Sequence, residues 1–222
     1  MESKKIINNG LFVTFEGTEG SGKSTQIELT KEYFESLNYS VLVTREPGGT
    51  PLSEKIRNLL LDPENNEMMS KTELFLYAAS RAQHMGQLII PYLKKGFLVL
   101  CDRFHDSTIA YQGYGRGIDL DFIKKLNDLT LEGLIPQLTF IFEVELDIGI
   151  QRARRKSEES FSMKGGDRLE RENLEFHSRV LEGYRKISIE ERERVKLIKP
   201  GNIKDINAEI IGHIHDKMES RI

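Results

Sequence analysis

The stretch that decides the fold is Leu11–Thr25, LFVTFEGTEGSGKST, in which an apolar strand runs directly into a glycine-rich loop. The loop, Gly17-Thr18-Glu19-Gly20-Ser21-Gly22-Lys23-Ser24, fits the phosphate-binding pattern G-x-x-x-x-G-K-[ST]. Backbone N–H groups of such a loop surround phosphate oxygens, and the helix that follows directs the positive end of its dipole at them. The pattern therefore predicts a site for a phosphorylated ligand.

Each part of this loop has an expected task in holding ATP. The residues assigned to ATP binding are Gly17, Thr18, Glu19, Gly20, Ser21, Gly22, Lys23, Ser24 and Thr25. Lys23 is expected to reach the β- and γ-phosphates, and the Ser24 hydroxyl is expected to ligate Mg²⁺. A chance match is the alternative. The strand before the loop and the amphipathic helix pattern after it both argue against chance.

Composition limits the remaining possibilities. The chain has 222 residues, which fits a single domain over 1–222, and a net charge of -3, which gives no basic field for nucleic acid. Its one cysteine, Cys101, excludes an internal disulfide and lies in an apolar run typical of a buried structural thiol. We see neither a signal-peptide pattern nor an apolar run of about 20 residues, so we expect a cytoplasmic protein without a membrane partner.

Short apolar runs alternate with helical patterns along the chain. The expected strands are 11–16, 40–44, 97–101, 138–143 and 195–198. The expected helices are 23–37, 51–61, 71–95, 105–111, 119–132, 147–156, 170–193 and 203–219. This alternation predicts an α/β fold with a doubly wound parallel five-stranded sheet flanked by helices, and its ligands should bind at the carboxyl ends of the strands.

Polar clusters follow several of these strands. Arg45 opens the turn REPGGT after strand 40–44 and could face an anion, although a simple turn is the alternative. Asp102 and Arg103 follow strand 97–101, and we expect Asp102 to be a second carboxylate near Mg²⁺.

A basic cluster at Arg152, Arg154 and Arg155 leads into a polar stretch that ends at DRLE, 167–170. We interpret the segment at about 152–170 as a mobile lid that brings arginines to the site. A solvated basic helix face is the alternative.

Five segments, in this order, carry a resemblance to a known family: FEGTEGSGKSTQ (15–26), TREPGGT (44–50), YAASRAQH (77–84), CDRFHDSTIAYQG (101–113) and DRLE (167–170). Together they make the chain resemble thymidylate kinases, P-loop nucleoside monophosphate kinases that use ATP and Mg²⁺ to phosphorylate dTMP to dTDP. The resemblance implies the P-loop kinase fold and a homodimer. Two alternatives stay open: another nucleoside monophosphate or deoxynucleoside kinase of the same fold, and a nucleotide-binding regulator without activity.

The resemblance also implies roles for individual residues. Those matching the dTMP site are Glu19, Arg45, Tyr77, Arg81, Arg103, Ser107 and Gln112. Glu19 would face the sugar, while Arg45 and Arg103 would hold the phosphate. Arg81 would hydrogen-bond thymine, and Ser107 and Gln112 would line the base and sugar pocket. Tyr77 would stack on the base where many relatives carry Phe, so its hydroxyl needs a partner.

Relatives with an arginine in the phosphate loop differ from this chain, which has Gly20 at that position. The resemblance implies that such chains take the catalytic arginine from the lid. The catalytic residues we expect are therefore Lys23, Arg103 and one or more of Arg152, Arg154 and Arg155, with Arg168 as a further candidate.

Overall fold

A five-stranded sheet forms the centre of the molecule. The computed structural model describes residues 4–145, 147–149, 151–152 and 166–220. The strands are β1 Leu11–Glu16, β2 Val41–Arg45, β3 Leu98–Asp102, β4 Leu138–Phe142 and β5 Val195–Ile198. All neighbouring pairs are parallel, in the order β2-β3-β1-β4-β5. Each strand begins and ends within one residue of its expected bounds, and the doubly wound parallel fold is confirmed.

The helix expected over 147–156 falls partly outside the described residues, whereas the other expected helices lie where the sequence pattern predicts them, with differences at their ends. They are α1 Lys23–Ser36, α2 Pro51–Leu61, α3 Ser70–His84, α4 Ile90–Lys94, α5 His105–Thr108, α6 Leu120–Leu131, α7 Leu174–Glu190 and α8 Ile203–Glu219. A π-helical segment, Met85–Ile89, joins α3 to α4, and another, Ile109–Gly115, extends α5. The helix expected over 170–193 begins only after Asn173, whose side chain accepts a hydrogen bond from the Phe176 amide at 2.8 Å.

The two faces of the sheet carry separate apolar clusters. Phe15 of β1 packs against Phe140 and Phe142 of β4, with ring centroids 5.5 and 6.1 Å apart, on the face covered by α1 and α8. β1 is buried throughout, whereas the edge strand β2 is partly exposed, and Val43 keeps 39% of its surface. A continuous apolar run therefore marks a strand here without guaranteeing that both faces are covered.

Parallel pairing brings the ends of three strands to one edge of the sheet. Asp102 at the end of β3 lies in register with Phe15 of β1 and with Arg45 of β2. The phosphate loop, the Asp102-Arg103 pair and the turn that begins at Arg45 are therefore neighbours, as expected for a site at the carboxyl ends of parallel strands. Cys101 is buried in β3, which confirms its expected place in the core.

Helix α7 packs closely through Gly183 on the π-helical segment Ile109–Gly115. This contact leads to a prediction about stability. A Cβ at Gly183 would lie 2.7 Å from Tyr114 and 3.1 Å from the Ala110 backbone. We expect Gly183→Ala to lower the free energy of unfolding by about 1–3 kcal/mol through overpacking. Gly212 in α8 is the matched control because a Cβ there meets nothing within 4 Å, so Gly212→Ala should stabilise by roughly 0.5–1 kcal/mol. Chemical denaturation measures both, and equal effects would contradict the packing argument.

Candidate nucleotide-binding site

The phosphate loop is held open around the end of a buried lysine. Gly17, Gly20 and Gly22 all have positive φ, and α1 starts directly after Gly22 without a side-chain cap. Lys23 donates hydrogen bonds from Nζ to the carbonyl oxygens of Gly17 at 3.1 Å and Thr18 at 2.8 Å. Burial, followed by the nearby Arg103 charge, lowers the pKa of Lys23. The uncapped amides and this ammonium group suit an anionic ligand.

Asp102 and Ser24 fit a divalent cation beside this loop. Asp102 Oδ1 is buried and forms no hydrogen bond within the described residues, and a buried carboxylate oxygen of this kind needs a cation or water. Ser24 lies exposed in the first turn of α1, next to Lys23. The described ranges contain no group of three His, Cys, Asp or Glu that could hold a metal alone. A cation here would therefore need phosphate oxygens as further ligands, which Mg²⁺ commonly uses.

Next to the loop lies a pocket that, together with the open space at its mouth, encloses about 620 Å³. The structure brings six of the seven residues expected to bind dTMP to its wall: Glu19, Tyr77, Arg81, Arg103, Ser107 and Gln112. Other lining residues were not predicted from the sequence, among them Arg57, Tyr111, Asp167 and His177. Burial raises the pKa of Tyr77 far above its usual range, so its ring keeps a neutral phenol.

Arg103 connects the pocket to the phosphate loop. Its Nη1 donates to the Gly17 carbonyl oxygen at 2.6 Å, and its Nη2 donates to Glu19 Oε1. The guanidinium lies over the Tyr111 ring, 5.2 Å from the centroid. Although burial lowers the pKa of Arg103, Glu19 and further neighbours raise it well above its usual value. The group therefore stays a fixed positive charge at the boundary between loop and pocket.

Arg81 is held by three elements at once. Its Nε donates to Glu46 Oε2 at 2.8 Å, Nη1 to Asn127 Oδ1 at 2.7 Å and Nη2 to Thr108 Oγ1 at 2.6 Å. Glu46 also contacts His84 Nδ1 at 3.2 Å. Arg81 is 1% exposed yet lines the pocket, and three of its five N–H groups donate to these partners within the described residues.

Arg45 is not among the residues that line the pocket. It is half exposed and donates from Nη2 to both carboxylate oxygens of Glu54 at 3.0 and 2.9 Å. Arg57 of α2 lines the pocket instead and donates from Nη1 to the Pro47 carbonyl oxygen at 2.9 Å. Burial and then the Arg45 charge lower the pKa of Arg57. Arg57 lies inside a helix rather than at a strand end, so position along the chain gave no signal for it.

The amino-terminal end of the expected lid packs on the phosphate loop. A Cβ at Gly20 would lie 2.4 Å from the Gly149 carbonyl oxygen and 2.9 Å from the Arg152 Cβ. Arg152 itself donates from Nη1 to the Gly20 carbonyl oxygen at 3.4 Å. The space that a larger loop residue would take is thus filled by the segment that carries Arg152. Arg154, Arg155 and residues 153–165 of the expected lid lie outside the described residues.

Arg168, at the other end of that segment, is engaged elsewhere. Its Nη2 pairs with Glu73 of α3 at 2.6 Å, and its Nε donates to the Leu60 carbonyl oxygen at 2.9 Å. Both Arg168 and Glu73 are buried. This contact anchors residues 166–170 to α2 and α3, which disfavours Arg168 as the arginine that reaches the phosphate loop.

Comparison with known proteins agrees with this geometry. Residues 15–210 match the family model "Thymidylate kinase". The chain is 47% identical over 206 residues to a thymidylate kinase of Pelobacter propionicus, covering 92% of this chain and 94% of that protein. It is 48% identical over 201 residues to a thymidylate kinase of Halothermothrix orenii, covering 90% and 94%.

The chain belongs to the thymidylate kinase family. The crystal structure of a thymidylate kinase from Ehrlichia chaffeensis superposes on it with a TM-score of 0.75 at 36% identity, over 93% of this chain and 98% of that one. Members of this family are nucleoside monophosphate kinases that use ATP, and kinases of this type generally need a divalent metal. In the described part of the chain, no helix combines the length and apolar character needed to cross a membrane.

The contacts of Arg81 predict that removing its side chain lowers the free energy of unfolding strongly. Arg81→Ala would leave Glu46 buried without its cation, so we expect the free energy of unfolding to fall by about 3–5 kcal/mol. Arg45→Ala is the matched control, because its ion pair with Glu54 is half exposed and should contribute about 1 kcal/mol or less. Urea denaturation measures both variants. Similar decreases in the free energy of unfolding would show that the buried network around Arg81 contributes no more to stability than the exposed Arg45–Glu54 pair.

Proposed function

We propose that this chain transfers the γ-phosphoryl group of ATP to the phosphate of dTMP, giving ADP and dTDP. The observation that carries the proposal is the pocket beside the phosphate loop, which combines Arg81, Tyr77 and Arg103. A guanidinium and an aromatic ring suit a planar base, and a second guanidinium suits its phosphate. A regulator that only bound ATP would have no need for this second pocket.

On the donor side, Lys23 and the loop amides stabilise negative charge on the ATP phosphates. Ser24 and Asp102 are proposed to hold Mg²⁺, and Mg²⁺ bound there would neutralise charge on the donor phosphates. On the acceptor side, Arg103 holds and orients the dTMP phosphate. We assign a supporting part of that role to Arg57 because it faces the pocket, and an indirect part to Arg45, which acts on Arg57 through charge.

The reaction needs no general base, because a nucleotide phosphate is already largely ionised at neutral pH. The two anionic reactants repel each other, and the cationic groups of Lys23, Arg103 and a lid arginine offset that repulsion while the phosphates line up. Glu19 pairs with Arg103 at the boundary of the two sites, and we assign it the role of facing the acceptor sugar. Gln112 donates to Glu73, which fixes its side chain at the pocket wall.

A homodimer belongs to the same proposal. Phe75 of α3 and Phe122 of α6 are 50% and 41% exposed, and their rings meet edge-on with centroids 6.2 Å apart. An apolar patch on the flank of the sheet suits contact with a second copy of the chain. The cytoplasmic location stays a prediction from composition.

An acceptor panel tests the proposed function. With ATP and Mg²⁺, we expect dTMP to be used at least about 100-fold more efficiently than dCMP, because Arg81 has only donors and cytosine presents an amine at the position of the thymine O4. A coupled assay with dTMP, dUMP, dCMP and dGMP measures kcat/KM for each. Lys23→Ala, which should be nearly inactive, controls for contaminating kinases. Equal use of dCMP, or preference for another acceptor, would favour a different nucleotide kinase.

The packing of Arg152 on Gly20 predicts a separate effect on the chemical step. Arg152→Ala should lower kcat roughly 1,000-fold while the KM for dTMP changes little, because a positioned arginine stabilises charge that develops in the transition state. Arg185→Ala is the control, since Arg185 is an exposed arginine paired with Glu143. Wild-type kcat in Arg152→Ala would transfer the role to Arg154 or Arg155.

A further inference from the structure

Glu16 is a buried carboxylate that the reaction outlined above does not use. It is the last residue of β1, directly before Gly17, and it has no exposed surface. Its Oε1 accepts a hydrogen bond from the Phe104 amide at 2.7 Å. Its Oε2 accepts from Ser107 Oγ at 2.5 Å and from the Tyr184 hydroxyl at 3.0 Å. One side chain thus joins the strand before the phosphate loop to α5 and α7.

The two hydroxyls that donate to Glu16 also contact Arg103. Arg103 Nη1 donates to the Tyr184 oxygen at 3.2 Å and lies 3.5 Å from Ser107 Oγ. The two hydroxyl oxygens are 2.8 Å apart. Glu16 Oε2 can accept from both hydroxyls, and each hydroxyl oxygen then remains able to accept from the Arg103 guanidinium. Burial and then Glu16 raise the pKa of Tyr184 well above its usual value, so this donor keeps its proton.

We propose that Glu16 is a positioning residue for Arg103, acting through the Tyr184 and Ser107 hydroxyls to fix the guanidinium that receives the acceptor phosphate. The inference rests on the proposed role of Arg103 and adds the group that sets its orientation. Glu16 itself touches neither reacting phosphate; its effect depends on being a pure acceptor.

An amide of the same size cannot replace this carboxylate. If Gln at position 16 turned its oxygen towards the hydroxyls, its NH₂ would face the Phe104 amide, and two donors would meet. If it turned its NH₂ towards the hydroxyls, they would have to accept; one could donate to the other, and the second would direct its proton at Arg103. Either orientation leaves a buried donor without an acceptor, which weakens the hold on the guanidinium.

The charges around Glu16 make the arrangement sensitive to pH. Burial and then Asp106 raise the pKa of Glu16 to about 7, against the lowering effects of Ser107, Arg103 and Phe104. Lys23, Tyr184 and Arg194 also act on this group electrostatically. Protonated Glu16 loses part of its acceptor capacity, so Arg103 should be held less well as the pH falls through about 7.

The experiment compares wild-type chain with Glu16→Gln in the coupled assay. We expect the KM for dTMP to rise about tenfold or more in the variant while the KM for ATP stays within about twofold. For the wild type, kcat/KM for dTMP should fall below pH of about 7; for the variant, only the ionisation of dTMP itself, near pH of about 6, should remain. A variant with wild-type KM values and an unchanged pH profile overturns the proposal.

A double-mutant cycle separates positioning from general damage to the fold. In an Arg103→Ala background, Glu16→Gln should change kcat/KM for dTMP less than about twofold, because the group on which it acts is gone. An equal loss in both backgrounds would overturn the proposal and assign Glu16 a structural role. Asp106→Asn is the matched control: Asp106 is a buried carboxylate held by Arg194 at 2.8 Å. Asp106→Asn should shift the fall of kcat/KM for dTMP to lower pH, and the KM for dTMP should change less than about tenfold.

Tyr184→Phe keeps the test decisive if Glu16→Gln fails to fold. It removes one hydroxyl from a buried ring and should produce the same selective rise in the KM for dTMP, whereas wild-type KM values in Tyr184→Phe would overturn the proposal. Wild-type turnover of dTMP is measured first. Its absence would overturn the proposed function and this inference together, while normal wild-type turnover with unaffected variants would overturn the role of Glu16 alone.

Discussion

The hydrogen bond from Arg103 to the Gly17 carbonyl oxygen is the contact on which the geometry of the site depends. It joins the turn after β3 to the first residue of the phosphate loop, so the group that faces the acceptor pocket is positioned by the donor loop itself. Parallel pairing of β1 with β3 makes the contact possible, and the Arg103 amide extends that pairing to the Phe15 carbonyl oxygen. Arg103 adopts a left-handed φ of 66° there, a conformation that costs a non-glycine residue about 1–2 kcal/mol. The surrounding bonds offset that cost.

Several buried charges surround this contact, and those of Arg81 and Asp106 are compensated by their neighbours. Arg81 lies between Glu46 and two neutral acceptors, and Asp106 is held by both terminal nitrogens of Arg194. Buried ion pairs of this kind contribute little net stability, because desolvation offsets their attraction. Their value here is geometric: each guanidinium has a defined orientation before any ligand binds. Phosphoryl transfer requires such preorganised charge, because the protein catalyses it mainly by positioning the reactants and stabilising their charge.

The sequence predicted the framework well because the framework follows local rules. Strand bounds came within one residue since buried parallel strands are short apolar runs between turns, and the phosphate loop is a contiguous motif. Contacts between distant segments were not predictable in the same way. Arg57 faces the pocket from the middle of a helix, and Arg168 finds its partner Glu73 almost a hundred residues earlier in the chain. The pairing of arginines with carboxylates depends on how the helices pack over the sheet, and no local sequence pattern predicts that packing.

The same packing indicates which arginine lies near the transferring phosphate. Arg152 lies against Gly20 at one end of the expected lid, while Arg168 is fixed to Glu73 at the other. Arg152 therefore already lies at the phosphate loop. Arg168 would first have to leave a buried ion pair, at a cost of several kcal/mol. Gly20 and the Arg152 segment are thus complementary: the small loop residue leaves room for the chain that brings the cation.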